Sequence, residues 1–495
     1  MVPSAGWCST PRRRSAFALL TLVLAALAAT VFRPASTPGP FARDFEAYYA
    51  AGATWNAGGD PWSRDVWQTE RTIPGVDATR DELLPFVGPA ASLPLWSLLA
   101  RLPFDAARIV WMGVLALALL VLGVGAAALA HVRLTASRAA SALIFAAVTG
   151  PSISDLALGQ VALVSAAAVA CTLLALERRS AWTIVTAFGA AIQPNLALPL
   201  AVRLTSRRAA LLLAAAAAAF FAVTLVAGGG GSALLAYLQR LGEHTASERF
   251  ILIQYSVPAI AVSFGADRQA AQLGGTILAF ATVACVAAMA IRLRAQPRLS
   301  AAFAIALLPW AVPFFHEHDF VIELIPAVVL AASANARVRA LTGIAAACAL
   351  VDWLGIAQRP AFAAQTVCLA LAVACAFAAL PNRSLRASSP LPPLIACALV
   401  AAIAVPLALA FPAPVWPDAL GAFHAAANLD SSAVWAAEQQ RAGLNGVAPA
   451  WGILRAIPLL GCLLLAVGAY FAADPVAITI RPARTANGTG VSESP

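Results

Sequence analysis

Charge is what this chain has least of. Of its 495 residues only 11% are charged while 61% are hydrophobic, and lysine is absent, so all 32 basic residues are arginine. A soluble globule must present a polar exterior, and this composition cannot supply one for so much apolar surface. Apolar runs of about twenty residues, the length a helix needs to cross a bilayer, recur along the chain. The net charge of +9 does not point to nucleic acid. The arginines stand in small clusters between apolar runs and make no single basic face. Cysteine chemistry is missing too. Cys171, Cys285, Cys348, Cys368, Cys375, Cys397 and Cys462 fall inside apolar runs, Cys8 is near the N-terminus, and no C-x-x-C occurs. Buried thiols acting as small hydrophobes fit that pattern. No phosphate-cradling glycine loop is present either. The run Gly228-Gly229-Gly230-Gly231 lacks the lysine and serine that would follow it, and reads as a hinge or linker.

What remains is an all-α, polytopic integral membrane bundle of about 12–14 spans or half-spans with both termini cytoplasmic, if arginines mark the inner loops. Arg12-Arg13-Arg14 ahead of the apolar run 15–32 reads as an uncleaved signal anchor rather than a cleaved signal peptide. One transmembrane domain is expected over 1–480, followed by a disordered cytoplasmic tail over 481–495. Outer segments are expected at 33–105, 150–160, 232–268 and 412–450. The stretch 86–102, bounded by Pro85, Pro89, Pro94 and Pro103, reads as a helix at or dipping into the outer interface, with a true crossing as the alternative. The run 182–203 has arginine pairs on both sides and a break at Gln193-Pro194-Asn195. Two half-helices meeting at a polar apex are tolerated at membrane depth only where they line a cavity.

The polar outlier is Arg43-Asp-Phe-Glu-Ala-Tyr-Tyr, continuing to Gly58-Gly59-Asp60-Pro61-Trp62. Residues 44–56 predict a short helix with Phe45, Tyr48, Tyr49 and Gly52 on one face. The glycines and Pro61 then stop it.

These residues resemble the signature of GT-C-class membrane glycosyltransferases, and more narrowly glycosyltransferase family 87. Its members typically carry Asp-Phe, Tyr-Tyr and Gly-x-Asp-Pro-Tyr just after the first transmembrane helix. Here the matching residues are Asp44-Phe45, Tyr48-Tyr49 and Gly59-Asp60-Pro61-Trp62. Leu158-Gly159-Gln160, Ala190-Ala191-Ile192-Gln193-Pro194, the proline-rich stretch and the turn His316–Asp319 add to the likeness, which spans roughly 44–380. Where the family often has lysine before the proline of the broken helix, this chain has Gln193. The resemblance implies a hexosyltransferase, mannose being one candidate sugar. Its donor would be a polyprenyl-phosphate-linked sugar and its acceptor a lipid or cell-envelope glycan. The site would face outward from the bacterial cytoplasmic membrane, and transfer would invert the anomeric carbon. A transporter or flippase of lipid-linked sugars is the alternative, since broken helices with polar apices also occur there.

Asp44 is then the expected general base, taking a proton from the acceptor hydroxyl. A free aspartate titrates near 3.9, so burial would have to raise its basicity. The bland alternative makes Asp44 only an N-cap. Glu46 is the rival base, or a carboxylate favouring the positive helix start, and Asp60 is a turn residue. Tyr48 and Tyr49 are expected to shape the acceptor pocket, and Gln160, Gln193, His316, His318 and Asp319 to line the donor side. The His316–Asp319 cluster allows three readings: phosphate or substrate contact, a solvated turn with Asp319 as a cap, or a divalent cation site. No cofactor is called for beyond that possible cation. Asn195 suits sugar hydroxyls or freed backbone equally. Arg240, His244, Arg249 and Arg359 are outer cations that a leaving phosphate could use.

Overall fold

The computed structural model describes residues 42–73, 84–132, 146–379, 391–413, 429 and 431–473. The expected anchor at 15–32, most of the short span at 139–149, and the tail lie outside them. So do Cys8 and residues 414–428 of the last outer segment.

Every element among the described residues is helical. In chain order they include α1 (Arg43–Asn56), α2 (Asp65–Glu70), α3 (Leu93–Leu99), α4 (Phe104–Leu129), α5 (Gly150–Leu158), α6 (Ala162–Glu177) and α7 (Trp182–Ala190). They continue with α8 (Arg207–Ala227), α9 (Gly231–Glu248), α10 (Arg268–Arg292), α11 (Pro297–Ala306), α12 (Leu324–Ala331) and α13 (Ala336–Ala349). The last are α14 (Ala363–Ala379), α15 (Leu391–Ala410), α16 (Ser431–Arg441) and α17 (Pro449–Ala473). Six described segments are long and apolar enough to cross a membrane: α4, α8, α10, Pro360–Phe377 (a 3-10 turn running into α14), α15 and α17. On α8 and α10 the large apolar side chains face outward, Leu211, Phe221, Leu273 and Phe280 among them. In a bilayer that surface meets lipid rather than water. The chain is a multi-pass membrane protein.

Other runs that read as spans are shorter helices. The run at 300–315 is split into α11 and a single turn, Leu308–Ala311, with Pro309 at its start. The run at 320–332 divides into a 3-10 segment, Glu317–Glu323, and α12. Both are wrapped by protein. Ala301 to Ala306 and Val321 to Ile325 are buried, so their apolar character serves packing between helices. α13, alanine-rich and buried, packs on α12, α14 and α17. Gly461 of α17 makes that approach possible, since a Cβ there would sit 2.7 Å from the Ala345 carbonyl.

Three expected outer segments are more ordered than their composition suggested. The 150–160 turn is α5, with Pro151 in its first turn and Gly159 at φ +74 ending it. The 232–268 loop is α9 followed by Val257–Ser263, and α16 stands within 412–450. The 86–102 stretch is a 3-10 turn, Ala90–Ser92, leading into α3. At ten apolar residues it is too short to cross a bilayer. The expected break at Gln193 is present, between α7 and the turn Pro194–Ala197.

One end of the bundle gathers arginine loops. Arg298 clasps Glu177 in a fork, with Nε to Oε1 at 2.7 Å and Nη2 to Oε2 at 2.5 Å, while its Nη1 reaches the Leu129 carbonyl at 2.6 Å. Arg208 donates to the Arg179 carbonyl at 2.8 Å. α6 runs from this end to Gln160, and its 16 residues span about 24 Å at helical rise.

Candidate functional site

At the far end of α6 lies a cavity of about 580 Å³. Its first wall is α1. Ala42 takes a left-handed conformation at φ 59, and its N–H donates to the Ala157 carbonyl at 2.7 Å, which docks the start of α1 on the end of α5. Gly159 permits this closeness, because a Cβ there would come within 2.9 Å of the Phe45 Cβ. Phe45 stacks on Trp111, whose indole N–H donates to the Gly159 carbonyl at 2.8 Å. One turn further along the same face of α1, Tyr48 stacks on Trp96 at 4.7 Å between centroids, and Trp96 in turn packs edge-on to Trp111. Asp60 accepts from the Trp62 N–H at 2.9 Å, the expected turn role.

Asp44 is therefore inside the first turn of α1. No side chain caps the helix at Ala42, and the N-cap alternative for Asp44 falls away. Its carboxyl is buried, lines the cavity, and accepts from Gln160 Nε2 at 2.5 Å. Gln160 Oε1 in turn accepts from the Tyr48 hydroxyl at 2.5 Å. Arg43 Nε stands 3.9 Å from Asp44 Oδ1. Burial raises the Asp44 pKa above its ordinary value, and Arg43 and the Gln160 bond oppose that rise. The result is an oriented, unusually basic carboxylate on a cavity wall. Glu46, the rival, is buried and pushed up to about 7 by burial, but it does not line the cavity.

The second wall is the His316 turn. His316 and His318 stack at 5.4 Å and both line the cavity. Asp319 does not. It is buried behind the turn, where it accepts from the His316 N–H at 2.9 Å and from the Gln193 side chain. Asp319 thus caps the start of the 3-10 segment, as one reading of the turn expected, but it does so buried rather than in a solvated turn. Burial pushes it up to about 7, against those two bonds. Gln193 lines the cavity with Asn195, so the broken helix is tied to the histidine turn through Asp319. Burial lowers both imidazoles, leaving neutral rings that still present N–H donors. Among the described residues, His316, His318 and Asp319 form a group able to hold a metal ion, with ligand atoms within 4.8 Å of one another. Asp319 has both oxygens engaged elsewhere, which weakens that use of it.

Tyr49 is not brought to the cavity. Its hydroxyl donates to the Leu102 carbonyl at 2.8 Å and its ring packs on Phe45 and Phe104. It holds α1 against the proline-rich stretch. Of the outer cations, His244 and Arg359 line the cavity, while Arg240 pairs with Glu243 at 2.8 Å along α9.

Glu248, which lines the cavity, and Gln254, which stands behind it, carried no sequence signal. Glu248 is buried between His244 and His316, at 3.6 and 3.5 Å, and also accepts from the Trp435 indole of α16. Gln254 accepts from the Phe315 N–H at 3.0 Å and lies 3.1 Å from His316 Nε2. The i, i+4 spacing of His244 and Glu248 would have marked a common face, had the segment read as helix.

Residues 86–313 match the family model of glycosyltransferase family 87. The matched stretch covers Gln160 and Gln193 but neither Asp44, which precedes it, nor His316, which follows it. No curated protein and no solved structure matches the chain. The helical bundle and the motifs agree with that match, which spans a little under half of the chain: over residues 86–313 the protein is similar to glycosyltransferase family 87.

Proposed function

We propose that this membrane glycosyltransferase moves a hexose, mannose being one candidate, from a polyprenyl-phosphate donor to a lipid or cell-envelope glycan acceptor, with inversion. Asp44 acts as general base. The acceptor hydroxyl sits against Oδ1, on the Arg43 side, while Gln160 fixes Oδ2, and the carboxylate takes the proton as the hydroxyl attacks the anomeric carbon. The leaving phosphate is met by the N–H groups of His316 and His318, with Gln193 held beside them by Asp319. The mostly apolar remainder of the wall, including Ile153, Leu158, Ile192 and Leu198, suits the lipid part of the donor.

The observation that carries this reading is one cavity lined by both Asp44 and the His316 turn, although 272 positions of sequence separate Asp44 from His316. An outward-facing site in the bacterial cytoplasmic membrane is supported by α6, which sets the cavity about 24 Å from the arginine loops.

The test is transfer from a polyprenyl-phosphate hexose by purified protein. Asp44→Asn should lower turnover by about 10²–10⁴-fold with the melting temperature unchanged, while Glu46→Gln should retain transfer. Undiminished transfer by Asp44→Asn would remove Asp44 from the mechanism.

A further inference from the structure

Next to His316 the cavity wall has a second polar corner, separate from the Asp44 network. Glu317 enters it from the 3-10 turn, Asp352 from the loop after α13, and Arg359 from the end of the short helix Gly355–Gln358. Arg359 Nη2 donates to Asp352 Oδ2 at 2.8 Å, and the Gly355 N–H donates to Asp352 Oδ1 at 2.6 Å. The Asp352 carboxyl lies close enough to Glu317 to raise its pKa further, beyond the larger effect of burial. Its Oε1 is shielded and has no hydrogen-bond partner. Gly150 closes the corner from below. A Cβ there would stand 2.6 Å from the Asp352 nitrogen and 2.8 Å from Glu317 Oε1, so only glycine lets the three segments meet.

An Arg359–Asp352 pair would by itself fasten this loop. Glu317 adds a second carboxyl whose spare oxygen is left without a donor, which is costly unless a ligand supplies one. A phosphate is a poor ligand, because two carboxyls face one guanidinium. An alkyl chain supplies no donor. A polyol fits, since its hydroxyls donate to carboxyl oxygens and accept from the Arg359 guanidinium and the Gln358 amide, which also line the cavity.

We infer that Glu317, Asp352 and Arg359 form the subsite that binds the hydroxyls of the donor hexose. The choice of donor over acceptor follows from chain order. Glu317 stands between His316 and His318, and the transferred sugar is bonded directly to the phosphate those imidazoles meet. The inference rests on that reading of the histidines.

The experiment compares two probes on full-length protein, a polyprenyl-phosphate hexose and the same polyprenyl phosphate without sugar. Wild type should bind the sugar-bearing lipid more tightly. Glu317→Gln should lose about 10-fold in affinity for it, the scale of one lost hydrogen bond to a charged group, with affinity for the sugar-free lipid unchanged. Asp352→Asn should do the same, but it also loosens Gly355, so the isosteric Glu317 variant decides and melting temperatures accompany both. Equal loss of both lipids, no loss of either, or a change confined to the KM of an alkyl hexoside acceptor would each overturn the subsite. Wild type binding neither lipid would overturn the proposed donor itself. Asp44→Asn should bind both lipids as wild type does, so a failed base assignment would show only as undiminished turnover in that variant and is told apart.

Discussion

Gln160 holds Asp44 with its amide N–H at 2.5 Å and Tyr48 with its carbonyl oxygen at 2.5 Å, so one side chain joins the end of α5 to two successive turns on one face of α1. Its bond lowers the Asp44 pKa against the larger effect of burial, which raises it. Gln160→Leu removes the lowering influence and the orientation together. A base must be deprotonated to act, so activity rises with pH through its pKa, and in the variant that rising limb should move to higher pH. At neutral pH the rate should fall by about 10-fold. A pH–rate profile measured from pH 4 to 9 checks this, and an unmoved limb would separate Gln160 from the titrating group.

Much of this arrangement was legible in the residues, and the reasons differ from place to place. The α1 helix and its stop could be read because glycine and proline leave few conformations open. The break at Gln193 was legible for the same reason. What sequence could not give was the tertiary use of polar groups. Tyr49 and Tyr48 look equivalent, yet one turns to Leu102 and the other to Gln160. Glu248 and Asp352 gain meaning only from partners 68 and 7 residues away, His316 and Arg359. Which apolar runs cross the membrane could not be told from composition, because alanine-rich helices buried by neighbouring helices are as apolar as those facing lipid. α13 is the clearest case.

Glu46 is buried close to Asp44, and burial pushes it up to about 7 from an ordinary 4.5. The folded protein thus keeps a proton that the unfolded chain releases near pH 4.5. The stability tied to this proton is complete below pH 4.5 and is lost as pH rises through 7. Wild type should accordingly melt at lower temperature at pH 8 than at pH 5. Glu46→Gln, neutral throughout, should flatten that slope, with a gain over wild type on the order of 1–3 kcal/mol at pH 8. Parallel pH dependences for the two proteins would show that Glu46 does not titrate in this range.

Gly52 marks where α1 crosses α3. A Cβ there would lie 2.2 Å from the Trp96 carbonyl oxygen and 2.7 Å from the Ser97 nitrogen, both backbone atoms that cannot swing aside. The same crossing carries two bonds between Asn56 and Ser97, at 3.1 and 2.5 Å. Gly52→Ala should therefore separate the helices and destabilise by about 3 kcal/mol or more, at the upper end for overpacking. Gly113 of α4 has nothing within 4 Å, so Gly113→Ala should be neutral or mildly stabilising. Thermal melts of the two variants check the contrast, and similar behaviour would mean that the crossing is looser than drawn.

Arg455 is fully buried in α17, a membrane-crossing helix, and serves the site from behind. Its Nη1 donates to the Gln254 carbonyl at 2.6 Å and the Ile251 carbonyl at 3.3 Å. Gln254 then holds the Phe315 N–H and meets His316. Removing the guanidinium relieves a buried charge but leaves two carbonyls without their donor, at about 1–3 kcal/mol each. Arg455→Met should thus cost only a little in melting temperature, the two effects partly cancelling. The histidine turn should loosen, raising donor KM by about 5–10-fold with a smaller change in kcat, since the lost contact orders a binding group rather than the base. Arg455→Lys should restore part of the KM by keeping one donor in reach. A donor KM unchanged in Arg455→Met would show that the 251–254 loop holds its place without the guanidinium, and that the span contributes to the bundle alone.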